Sequence, residues 1–202
     1  MRKEAVVTAR IGKSIESTLL LEVIRTHEEA LASLDDLAGG LSQEQANWKP
    51  APDVWSVAEC VDHLNQTLGT YIERMEPATR EARRERRLGS EPYGRGTIVG
   101  RLLVSFLAKP GKKTRTPGVF EPIGGSLDLD DVVRTFRQRS AMLIELAKEA
   151  DGLALGRIRI GSPASSLLRL SLAQAFEVQN LHTPRHLVQA DRLKHHEHFP
   201  VG

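Results

Sequence analysis

Residues 53–77 read DVWSVAECVDHLNQTLGTYIERMEP, and the reading of this stretch decides the fold. Ser56 with Glu59 three residues later is a capping box, in which hydroxyl and carboxylate each satisfy a backbone N–H at a helix start. The pattern predicts a helix from residue 56 to about residue 76. Pro77 is a poor interior residue, because it lacks an N–H and crowds the preceding turn. Val57, Cys60, Val61, Leu64 and Leu68 surround His63 in helical register, so this helix packs on both sides of that histidine.

Three further stretches supply packing partners. In residues 14–38, Ile15, Leu19, Val23, Ala30, Leu34 and Leu37 recur at helical spacings, and Gly39-Gly40 ends the run. Val132, Phe136, Leu143, Leu146 and Ala150 form one stripe over residues 129–150. A last helix is expected from about residue 167 to 193, after a loop, DGLALGRIRIGSP, with a short strand at RIRI. The segment LSQEQANWKPAPDVW is turn-rich, punctuated by Pro50 and Pro52. No internal repeat is visible. These elements predict an all-α chain: a four-helix bundle of antiparallel helices with a long elaborated crossover between helices 2 and 3. We expect a single domain over residues 1–202, with the excursion at about 77–127.

Of the 202 residues, 40% are hydrophobic and 27% charged, an ordinary balance for a soluble globular domain. A lone cysteine, Cys60, excludes an internal disulfide framework and a cysteine-rich zinc site. The N-terminal MRKEAVVTARIGKS has no apolar core region, and TLLLEVI and LLVSFLA are too short to span a bilayer, so a cytoplasmic location is expected. Charge is uneven: residues 80–115 hold eleven Lys/Arg against three Glu, within a chain of net charge only +2. One reading is a solvated lid. A second is that Arg83, Arg84, Arg87 or Lys112 attracts an anionic substrate or thiol. A third is a membrane-surface contact by RLLVSFLAKPGKK. No recognition motif supports a nucleic-acid partner.

Five of the seven histidines lie in NLHTPRHLVQADRLKHHEHF, residues 180–199. His182 and His186, four apart, share a helix face and either hold one divalent ion or are ordinary polar residues. His63 is the third candidate ligand or a satisfied core histidine; bundle interiors are where facing helices converge metal ligands. Pro184 either kinks or breaks the last helix, and only a kink keeps the two histidines together.

The segment LSQEQANWKPAPDVWSVAECVDHL resembles the first signature of the DinB-like superfamily, a tryptophan-serine helix start with a histidine seven residues after the serine. HTPRHLVQADRL resembles its second, H-x-x-R-H-L-x-Q. Together with the order of the segments between them, the likeness covers roughly residues 14–195. It implies a four-helix bundle in which His63, His182 and His186 bind one divalent metal; three imidazoles suit zinc or nickel alike. It also implies kinship with thiol-dependent transferases and isomerases that use low-molecular-weight thiols, and with hydrolase-like members; polymerase activity is not implied.

Around that set, Glu59 is either a base or ligand-orienting acceptor, or only the capping-box carboxylate. Cys60 is a fourth ligand or an apolar filler. His27 lines the pocket or is a buried, hydrogen-bonded histidine. Arg185 and Gln189 orient ligands or pair with an acidic neighbour. His195, His196 and His198 belong to a tail of the kind that is commonly disordered. No serine or cysteine nucleophile has a recognisable partner, so chemistry would fall to the metal. The expectation is a metal-dependent thiol S-transferase or hydrolase acting on a small, anionic substrate. The alternative is a non-catalytic, stress-associated metal-binding bundle that serves as a binding or dimerisation module, a homodimer among its forms.

Overall fold

The computed structural model describes residues 14–109 and 116–201. Lys112 and the N-terminal segment read above, up to Lys13, lie outside them. The elements run α1 (Thr18–Ala38), α2 (Gln43–Asn47), α3 (Val57–Arg84), α4 (Ile98–Leu107), a 3-10 turn (Gly118–Phe120), α5 (Leu129–Ala150), β1 (Arg159–Ser162), β2 (Ser165–Ser171) and α6 (Leu172–Lys194). Among the described residues no helix is long and apolar enough to cross a membrane.

The fold is the expected helical bundle. Helices α1 and α3 each pack against both α5 and α6. Between them lie Leu20, Val23, Leu34, Leu64, Leu68, Phe136, Leu143 and Phe176, all essentially inaccessible. The helices are not all antiparallel. Backbone N–H groups of Glu16 and Ser17, before α1, reach the Asp151 carboxylate after α5, so α1 and α5 run in opposite directions. Asn65, early in α3, donates to the carbonyl of Val132, early in α5, at 2.9 Å. At the other end Arg83 donates to Glu149 O at 2.7 Å. Helices α3 and α5 are therefore parallel, and so are α1 and α6, whose last turns meet where Lys194 donates to Asp36 O and Leu37 O. A parallel pair cannot be joined by a tight turn, and the long excursion is the chain's return path.

The described part of that excursion docks on α6. Thr97 caps α4, and Gln174 of α6 holds the cap in place. Its Oε1 accepts from Thr97 N at 3.0 Å and its Nε2 donates to Thr97 O at 2.9 Å. Gly100 allows the approach, since a Cβ there would stand 2.2 Å from Gln174 Oε1. Helix α4 leaves Ile98 and Leu102 exposed.

Three expected boundaries move. Helix α3 continues through Pro77 to Arg84. Pro77 and Glu73, whose carbonyl loses its helical donor, both face solvent, and water can take the missing bond. Helix α6 begins at Leu172 rather than near residue 167, because 165–171 pairs antiparallel with β1. The RIRI strand is thus real, although shifted to Arg159–Ser162. Ser171 with Gln174 forms the capping box that starts α6. Third, the tail after α6 is placed: Trp48 lies 5.3 Å from the His196 ring and 5.5 Å from that of Phe199. Gln45 Nε2 also donates to Pro200 O at 2.9 Å. Aromatic burial against α2 and its C-cap residue fixes a segment that its charge alone marks as loose.

Candidate metal centre

Pro184 lies within a continuous α6. The proline faces solvent, so its ring does not disturb the packed side of the helix, and His182 and His186 stay one turn apart on that side. Helix α3, held at its start by the Ser56–Glu59 capping box, presents His63 to them. His63, His182 and His186 each offer a ring nitrogen within 4.8 Å of the other two.

The geometry at His63 is specific. Its Nδ1 lies 2.6 Å from the carbonyl oxygen of Phe120. A carbonyl only accepts, so Nδ1 carries the proton and Nε2 carries the free lone pair. That Nε2 faces His182 Nε2 at 3.1 Å. Two nitrogens bound tetrahedrally at about 2.0–2.1 Å would stand about 3.3–3.4 Å apart, close to this separation. His63 Nε2 has no proton to give, so a direct bond between the rings requires one from His182. Buried Nδ1 atoms of His182 and His186 have no hydrogen-bond partner among the described residues. Trp55 covers the group, its ring 4.7 Å from that of His63 and 6.0 Å from that of His186.

All three imidazoles are held neutral. Burial lowers the pKa of His63, opposed by its bond to Phe120. His182 is pushed well below the usual histidine range by burial, then by the repulsion that His186 and His63 would add when protonated and by the Arg185 charge. His186 falls to about 3, again chiefly through burial. Neutral imidazoles with converging lone pairs are the form that binds a divalent ion, so the donor set fits such a group.

The neighbours divide. Glu59 makes the capping-box contacts: Oε2 accepts from Ser56 N at 2.8 Å and Oε1 from Lys49 Nζ at 3.0 Å. This is the capping-box alternative. Cys60 is outside the three-histidine group; burial pushes its thiol up to about 12, as suits an inert filler. His27 is buried in α1 and bonds Ser140 through Nδ1 at 3.2 Å, away from the cluster. Gln189 lies near enough to His186 to oppose the lowering of its pKa, and Arg185 donates to Lys109 O at 3.1 Å.

Of the basic residues weighed as anion attractors, the three described ones are engaged elsewhere. Arg83 holds the carbonyls of Glu149 and Asp151, Arg84 pairs with Glu81 and Arg87 with Glu85. Arg83 also lies twenty residues beyond His63 on one helix, about 30 Å at 1.5 Å per residue. That exceeds the screening length of about 8 Å at physiological salt. A cavity of about 710 Å³ between the excursion, α4 and the first turns of α6 shares no lining residue with the histidines.

Two contributors were not legible as such. Trp55 stands in the quoted signature without a role, and Phe120 acts through a backbone carbonyl, which leaves no mark in a sequence.

Comparison with known proteins agrees with the signatures. The profile of the DinB superfamily matches residues 26–190. No curated protein and no solved structure matches the chain.

Proposed function

The chain belongs to the DinB superfamily, and on that premise we propose that it is a single-domain, divalent-metal-dependent enzyme. His63, His182 and His186 are the metal ligands, and the reaction is transfer of a small thiol to an electrophile, or hydrolysis. The observation that carries this reading is the pair of facing Nε2 atoms 3.1 Å apart with the third imidazole beside them. When bound, zinc or nickel supplies Lewis-acid chemistry that brings the pKa of a coordinated thiol or water into the neutral range.

The remaining work falls to the chain itself. Phe120 O fixes the tautomer of His63 and so aims its Nε2. Trp55 excludes water from one side of the imidazoles. Arg185, whose charge lowers the pKa of both His182 and His186, favours an anionic partner such as a thiolate. Glu59 holds the first turn of α3, and with it His63, in position. We place the protein in the cytoplasm.

The test is a panel of low-molecular-weight thiols and electrophiles, assayed with zinc and with nickel beside a His63→Ala control. Metal-dependent turnover that the substitution abolishes supports the proposal. Metal binding without turnover across the panel points instead to the non-catalytic binding module.

A further inference from the structure

Helix α6 buries a row of polar atoms that nothing among the described residues satisfies. Gln179 and Thr183 have no exposed surface. Among the described residues neither amide atom of Gln179 nor the Thr183 hydroxyl has a partner, and the same holds for Nδ1 of His182 and of His186. Burying such groups unpaired opposes folding, and a native cluster of them calls for a use.

Their spacing supplies one. Gln179 precedes His182 by three residues, and Thr183 precedes His186 by three. Residues three apart on a helix are surface neighbours, about 5–6 Å between Cβ atoms. Helical side chains lean back over the preceding turn, so each imidazole overhangs the polar residue three positions earlier. The unpartnered groups thus fall into two equivalent i, i+3 pairs, each an imidazole Nδ1 and an oxygen able to accept from it. His63 already has the corresponding bond, from Nδ1 to Phe120 O.

We propose that Gln179 and Thr183 are positioning residues of the metal centre. Gln179 Oε1 accepts from Nδ1–H of His182, and Thr183 Oγ1 accepts from Nδ1–H of His186. Each bond fixes the tautomer that leaves Nε2 free for the ion, and ligating histidines are generally held in this way. The assignment rests on the three-histidine reading above.

Thr183→Val and Gln179→Met test it, with Thr183→Ser as the conservative control. Zinc affinity is measured by competition with a chromophoric chelator, and the Tm of each metal-free protein is measured in EDTA. Each apolar substitution is expected to weaken zinc binding about 10–100-fold, while Thr183→Ser keeps the wild-type affinity. The metal-free Tm should hold or rise, since an apolar side chain of similar shape removes an unsatisfied group. A merely structural pair of residues would lower the metal-free Tm and leave the affinity alone. Histidine-dependent zinc binding that stays within threefold of wild type in both apolar variants overturns this assignment alone. Absence of saturable zinc binding by the wild type overturns both it and the reading beneath it.

Discussion

His63 Nε2 and His182 Nε2 stand 3.1 Å apart although 119 positions separate them in the chain. The approach depends on two helix starts being fixed: the Ser56 capping box sets α3 and the Ser171 capping box sets α6. It depends further on the Phe120 carbonyl, which turns the His63 ring so that its lone pair meets the other helix.

Phe120→Ala should therefore act on stability and on the site together. The side chain is 9% exposed and stacks near Tyr71, ring centroids 6.2 Å apart. Truncation should cost roughly 3 kcal/mol, at the lower end for a buried phenylalanine. It should also weaken zinc binding by loosening the 3-10 turn that carries the carbonyl. Urea unfolding and chelator competition on the same sample check both. Full stability lost with unchanged affinity would remove Phe120 from the site.

His27 gives the fold a predicted acid sensitivity. Burial lowers its pKa from 6.5 to about 4, so between those values the unfolded chain holds a proton that the folded chain does not. The stabilisation is complete above pH 6.5 and is lost as pH falls towards 4, to an extent of roughly 3 kcal/mol. In EDTA, His27→Leu should flatten the fall in unfolding free energy between pH 6.5 and 4 relative to wild type. Parallel pH profiles for the two proteins would show that His27 is not responsible.

Much of the architecture was legible because it rests on periodic apolar stripes and caps. The stripe from Val132 to Ala150 gave α5 its full span, Leu129–Ala150. The three histidines were legible through two signatures that matched the family's order. Other features depend on long-range context. Pro77 was read as a stop because a sequence does not show that Glu73 will face water. The signal at Ser171 and Gln174 was present, yet the preceding SSLLRLS has helix-compatible leucines and becomes a strand only by pairing with β1. The parallel direction of α3 and α5 is set by packing, which periodicity does not encode.

The docking of α4 gives a prediction confined to the excursion. Gly100→Ala would press a Cβ against the Gln174 amide, which is held by bonds to Thr97 and to Ser171 N. We expect a loss of about 1–2 kcal/mol, typical of overpacking, and faster amide exchange across residues 98–107 than in wild type. The exchange of α5 should be unchanged. Equal acceleration in α4 and α5 would mean that α4 does not open separately from the bundle.

The central claim is that His63, His182 and His186 hold one divalent ion, and anomalous scattering at the zinc edge from crystals grown with zinc tests it most directly. The account predicts one strong peak per chain at about 2.0–2.1 Å from a ring nitrogen of each of the three residues, and its disappearance in His63→Ala. A peak confined to His195, His196 and His198, or none near the three histidines at saturating zinc, would contradict it.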